Sequence, residues 1–141
     1  MIGIPEYTTA EKAIEIIQSG NRVFVHGSAQ TPTHLLQALA SADKRLQDIE
    51  IVSITMHGNI PFAKKELAGS FRVNSLFVSE GVRQAVNEGF GDYVPIFLSE
   101  IPILFRKGHL PIDVAIVQVS PPDSHGFCSL GLSVDIAFAA V

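Results

Sequence analysis

A chain of 141 residues, 47% apolar and 17% charged, is long enough to bury one sizeable core and too apolar to stay disordered. Ten Lys+Arg against fourteen Asp+Glu leave a net charge of −4, and no basic block exceeds two residues, so no nucleic-acid footprint is expected. Its one cysteine, Cys128, excludes an internal disulfide and a multi-cysteine zinc site and fits a reducing cytoplasm, while no apolar run reaches the ~18 residues of a membrane helix.

The amino-terminal stretch carries Glu6, Glu11 and Glu15 and lacks the basic start and apolar centre of a signal peptide. A first helix is predicted to open at Thr8, with Glu11 three residues on as a capping-box partner. Ala10, Ala13, Ile14 and Ile17 follow at helical spacing, and Gly20-Asn21 end it. Residues 22–26 read as a short buried strand running into Gly27-Ser28-Ala29-Gln30. Thr31 is placed to cap, and Pro32 to occupy the first position of, a helix carrying Leu35, Leu36, Leu39 and Ala42. Residues 49–56 and 73–79 read as strands, 82–88 as a helix closed by Gly89, 94–98 as a fourth strand, and 101–105 as a short helix ended by Gly108. In 111–119 the near-continuous run Ile112, Val114, Ala115, Ile116, Val117 predicts a strand buried on both faces, as in a parallel sheet.

Strands alternating with helices give an α/β domain, a mainly parallel sheet with flanking helices. Val134 to Val141 starts an apolar helix with no cap, Lys, Arg or Gly. Helix ends need their last carbonyls satisfied, so residues 1–141 are expected to be one incomplete domain, cut short at the carboxyl end.

Loops after parallel strands hold ligands in such folds. The first candidate is His26-Gly27-Ser28-Ala29-Gln30-Thr31-Pro32, where small residues admit a ligand to the backbone and helix-start amides suit a carboxylate, phosphate or oxyanion. It is neither G-x-G-x-x-G nor a P-loop, and the plain alternative is an ordinary strand-to-helix turn. Ser28 lacks the G-x-S-x-G frame of a nucleophile elbow. The second candidate is Met56-His57-Gly58-Asn59-Ile60-Pro61, although Gly58 and Pro61 suit any turn. The third is residues 117–131, a buried strand running into a turn-rich loop stiffened by Pro121-Pro122 and carrying the polar Asp123, Ser124 and His125 before Gly126. The five His are scattered without H-E-x-x-H spacing, so no metal is expected. Glu80 and Glu100 have the chemistry of a base or nucleophile, but no oriented partner is evident, and a surface or salt-bridge role is favoured for both.

The stretch Pro111-Ile112-Asp113-Val114-Ala115-Ile116-Val117-Gln118-Val119-Ser120-Pro121-Pro122-Asp123-Ser124-His125-Gly126-Phe127-Cys128-Ser129-Leu130-Gly131-Leu132-Ser133-Val134-Asp135 resembles the signature of the acetyl-CoA hydrolase/transferase family, especially its 4-hydroxybutyrate CoA-transferases. Gly20-Asn21-Arg22-Val23 with the Gly27–Pro32 loop, residues 71–78, and Phe97-Leu98-Ser99-Glu100-Ile101-Pro102 agree in order and spacing, so the resemblance covers essentially the whole chain.

The resemblance implies a NagB-like α/β domain, one of two in such proteins. It implies transfer of CoA from an acyl-CoA to a short-chain carboxylate, or acyl-CoA hydrolysis, through a glutamyl-CoA thioester. The attacking glutamate would lie in a second domain outside this chain, leaving no catalytic residue here. Gly27, Ser28, Ala29, Thr31, Pro32, Met56, His57 and Gly58 would form the substrate side. No cofactor is implied beyond the CoA thioester as substrate, and the protein would be a cytoplasmic homo-oligomer. Ser79-Glu80-Gly81 stands where a small, Gly-rich loop is expected, and it lacks the Asn and spaced Gly of the Ser-Glu-Asn-Gly nucleophile motif. Two other readings are a NagB-like binding or regulatory module and a sugar-phosphate isomerase; the latter would want clustered basic residues that the candidate loops lack.

Overall fold

The computed structural model describes residues 7–141. Among them one parallel sheet is formed by β1 (Arg22–Val25), β2 (Ile49–Ser53), β3 (Phe71–Ser75), β4 (Gly91–Tyr93) and β5 (Val114–Ile116), in spatial order β4-β3-β2-β1-β5. Helices α1 (Ala10–Ala13), α2 (Thr33–Ser41), α3 (Glu80–Asn87), α4 (Ile101–Arg106) and α5 (Ala137–Ala140) flank it. None is long and apolar enough to cross a membrane.

Successive strand residues face opposite sides of a sheet, and this sequence is apolar on both. Val23, Val25, Ile49, Ile51, Phe71 and Val73 pack with Ala10, Leu36, Leu39 and Val82 of α1, α2 and α3. Phe24, Val52 and Ala115 pack with Ile101 and Phe105 of α4 and Ala137 of α5. There the Phe24 and Phe105 rings meet edge-on, centroids 6.0 Å apart. The amino-terminal part of this second face is polar. Arg22 Nε donates to Glu50 Oε2 at 2.7 Å, Asn74 Nδ2 donates to Glu50 Oε1 at 2.6 Å, and Arg72 grips both oxygens of Asp92.

The chain lays β2, β3 and β4 successively on one side of β1, then returns to place β5 on the other. Strand order therefore reverses at β1. The connections leaving β1 and β5 diverge there, at the position where open α/β sheets hold ligands.

Several boundaries differ from the sequence expectation. Thr9, not Thr8, caps α1, its hydroxyl accepting from the Lys12 amide at 3.2 Å. The helix then tightens into a 3-10 turn at Ile14–Ile16 and ends at Ile17, before Gly20. Thr31 does not cap α2, and Pro32 lies just outside the helix. The Thr31 hydroxyl instead donates to the Ser28 carbonyl (2.9 Å) and accepts from the His57 amide (3.1 Å).

The fourth strand is Gly91–Tyr93 rather than 94–98. A Cβ at Gly91 would come within 3.2 Å of the Ala85 Cβ, so glycine lets α3 lie close on β4. Val94 makes one more bond, to the Ser75 carbonyl, and Pro95 has no N–H to continue. β2 and β3 stop at Ser53 and Ser75, short of residues 56 and 79, because the chain turns there into the site loops. β5 spans three residues, not 111–119. It is an edge strand with Val114 and Ala115 only half-buried, so burial on both faces is not realised.

Candidate functional site

Gly27 leaves β1 pressed against the loop that follows β2. A Cβ there would lie 2.7 Å from the Thr55 carbonyl oxygen and 2.9 Å from Ile54 Cγ1. The close approach lets the Ser28 amide donate to the Thr55 carbonyl at 2.6 Å and sets Ser28 Oγ 3.0 Å from Thr55 Oγ1. Ser28 holds φ +52°, a left-handed conformation uncommon outside glycine. Its two bonds to Thr55 keep it there.

A 3-10 turn over Ser28–Gln30 folds the loop onto itself: the Gln30 amide donates to the Gly27 carbonyl and the Thr31 amide to the Ser28 carbonyl. The Gln30 and Thr31 amides are thus bonded within the loop, ahead of the α2 start at Thr33. Ala29 is exposed at the tip and Pro32 is buried.

The β2 loop is joined to the first through Thr31 and His57. Met56 is 1% exposed and belongs to the core, whereas His57 and Gly58 (φ +84°) are exposed beside it. Opposite them stands the first turn of α3. Thr55, Met56, His57 and Gly58 on one side and Ser79, Glu80 and Gly81 on the other enclose a cleft of about 550 Å³. A Cβ at Gly81 would come within 2.8 Å of Ile60 Cγ1, so glycine lets α3 start this close to the β2 loop.

Ser79 precedes α3 yet makes no side-chain cap bond, and its buried Oγ has no hydrogen-bond partner. Sequence reasoning set this turn aside. The available signal was a Ser-x-Gly directly after an apolar strand, the counterpart of Gly27-Ser28 after β1. Glu80 sits on the rim of this cleft. Glu100 does not share it: it accepts from the Phe97 amide at 3.3 Å and shapes the entry to α4.

The loop after β5 leaves the same edge. Its base is tied by the Ser120 amide to the Ser129 carbonyl (2.9 Å), and Asp123 Oδ1 accepts from the His125 and Phe127 amides at 2.8 and 2.9 Å. The Asp123–Gly126 tip is exposed. The returning segment meets the first loop, where Gln30 Nε2 donates to the Leu130 carbonyl at 3.1 Å. Fully buried His26 anchors it from below: Nδ1 accepts from the Gln118 amide at 3.2 Å, which leaves the proton on Nε2 for the Ser133 carbonyl.

Residues 5–141 match the family model for the acetyl-CoA hydrolase/transferase N-terminal domain. A succinyl-CoA:acetate/propanoyl-CoA:succinate CoA transferase of Fasciola hepatica is 45% identical over 136 residues, covering 95% of this chain and 28% of that protein. A 4-hydroxybutyrate coenzyme A transferase of Clostridium kluyveri is 41% identical, covering 90% and 30%. This chain thus spans under a third of the length of these relatives. Among solved structures, RipA from Yersinia pestis superposes with a TM-score of 0.75 at 29% identity, covering 88% of this chain and 31% of that one. A 4-hydroxybutyrate CoA-transferase from Porphyromonas gingivalis gives 0.71 at 26%, covering 94% and 30%. With the parallel sheet and its loops in place, and with the family model matched over nearly every residue, the chain belongs to the acetyl-CoA hydrolase/transferase family, as its N-terminal domain.

Proposed function

We propose that this chain is the amino-terminal part of an acyl-CoA:carboxylate CoA-transferase or acyl-CoA hydrolase, completed by a second domain that carries the attacking glutamate. That carboxylate attacks the thioester carbonyl, the C–S bond breaks, and CoA leaves as thiolate. The thiolate then attacks the glutamyl carbonyl of the anhydride, releasing the first carboxylate and leaving glutamyl-CoA for an acceptor or water. Gly27, Ser28, Ala29, Thr31, Pro32, Met56, His57 and Gly58 contribute the carboxylate side, with Met56 and Pro32 as buried supports. The protein works in the cytoplasm as a homo-oligomer and needs no cofactor besides its CoA substrate.

The observation that carries this reading is 41–45% identity, along nearly the whole chain, to proteins named as CoA transferases. The test is a thiol-release assay with acetyl-CoA, and a transfer assay with a short-chain carboxylate, on residues 1–141 and on the full-length gene product. Turnover is expected from the full-length protein only. Comparable turnover by residues 1–141 would place the nucleophile inside them, with Glu80 and Glu100 the first to replace by Gln.

A further inference from the structure

We propose that the cleft between the Thr55–Gly58 loop and the first turn of α3 receives the far end of the acyl chain, and that Glu80 on its rim favours chains with an uncharged end over those bearing a second carboxylate. The inference rests on the transferase reading above and names the substrate class of that site. The cleft shares Met56, His57 and Gly58 with the proposed carboxylate side, so a chain held there extends towards Ser79 and Gly81. Its volume of about 550 Å³ suits a short acyl chain with some water.

The wall of the cleft carries donors without partners. Ser79 is 8% exposed, and its Oγ has no partner. Buried polar groups are ordinarily hydrogen-bonded; this hydroxyl lies beneath the cleft wall and reaches a ligand oxygen when the Ser79 side chain turns into the cleft. The Glu80 and Gly81 amides open an eight-residue helix and make no backbone bond. A helix start of this kind would by itself welcome an anion. Glu80 reverses that preference. It is exposed and, among the described residues, forms no ion pair that would neutralise it. A second carboxylate arriving beside it would meet like charge, a penalty of about tenfold in affinity at surface dielectric and moderate salt. A methyl or hydroxyl end meets none.

The test is steady-state transfer by the full-length protein from acetyl-CoA, with butyrate, 4-hydroxybutyrate and succinate as acceptors, at low and high ionic strength. In Glu80→Gln the kcat/KM ratio of succinate over butyrate is expected to rise about tenfold. Glu80→Lys should raise it further, and both gains should shrink with salt. Ser79→Ala should raise KM for 4-hydroxybutyrate more than for butyrate. A succinate-to-butyrate ratio within twofold of wild type in both Glu80 variants overturns the role of Glu80 and leaves the transferase function standing. No transfer to any of the three acceptors by the wild-type protein overturns both.

Discussion

His26 and Ser133, 107 residues apart in the chain, are joined by a 2.6 Å hydrogen bond between the imidazole Nε2 and the Ser133 carbonyl oxygen, with both residues buried. The same ring accepts from the Gln118 amide. One side chain at the end of β1 therefore holds both ends of the segment that follows β5. Replacing it by Phe leaves the buried Ser133 carbonyl without its donor, an expected loss of about 2–3 kcal/mol in urea denaturation. The Gln118 amide should also lose hydrogen-exchange protection before the sheet does. A loss under about 1 kcal/mol with Gln118 still protected would mean that the anchor is not His26.

Gly27→Ala should cost about 2 kcal/mol by forcing the β1 and β2 loops apart. The backbone is extended there, at φ −103° and ψ −170°, so conformation is no obstacle and the cost is steric, against a main-chain oxygen 2.7 Å away. Gly81→Ala should cost less, because its nearest neighbour is an Ile60 side-chain carbon that can give way. Thermal unfolding of both variants checks the order; the reverse ranking would contradict this packing.

Glu50 accepts from both Arg22 and Asn74, with Arg22 and Glu50 side chains 26% and 27% exposed. Glu50→Ala leaves Arg22 its contact with the Pro111 carbonyl and removes the one side-chain partner of Asn74. Partial exposure limits the expected loss to about 1–2 kcal/mol. Glu50→Gln, which keeps one acceptor, should lose less. Equal midpoints in guanidinium titration for the two variants would show that the acceptor oxygens are not what matters.

The hydrogen bond from Arg72, and then its charge, holds the Asp92 carboxyl below its ordinary value of 3.8. A depressed folded value contributes stability that is whole above the unfolded value and is lost as pH falls through the folded one. Both side chains are 49% exposed, so the contribution is only a few tenths of a kcal/mol. Asp92→Asn should flatten the stability profile below about pH 4 and lower it by a constant amount above about pH 5. Unchanged acid sensitivity in the variant would remove this pair from the account.

Ser79→Ala should leave unfolding stability within about 0.5 kcal/mol of wild type, because the lost hydroxyl bonds nothing in the protein. Chemical denaturation measures it. A loss above about 1 kcal/mol would show a structural partner for Ser79 and weaken its assignment to a ligand.

Layering was legible because strand-like runs such as Val23–Val25 alternate with helical spacing, and the parallel sense was read from the apolar run Ile112–Val117. The fourth strand was not, because Gly91 and Asp92 are poor strand residues by composition. What recruits them is pairing with Val73 and Asn74 and the close packing of Ala85, which no local pattern reveals. Ile112–Val117 looked like a central strand because apolar content reports burial but not position in the sheet. At the site, the loop carrying Gly27 and the one carrying Gly58 were legible as small-residue turns after strands. Their union through Thr31 and His57 was not, since it depends on a hydroxyl diverted from the capping role its place in the sequence suggests. The α3 side of the cleft was set aside because Glu80 stands where a small, Gly-rich loop was expected.

Strand order also sets a timetable for a chain made from its amino end. β2, β3 and β4 each pair with the strand made just before them, added one at a time along the same direction. β5 alone must double back, beginning beside Asp113, which takes the amide of Arg22 from 91 residues upstream. Until then the outer edge of β1 offers its amides and carbonyls unpaired along Val23–Val25, beside apolar side chains not yet covered from that flank. A nascent chain that has emerged only as far as residue 113 would be a four-stranded intermediate with the β1 edge open, a state exposed to mispairing.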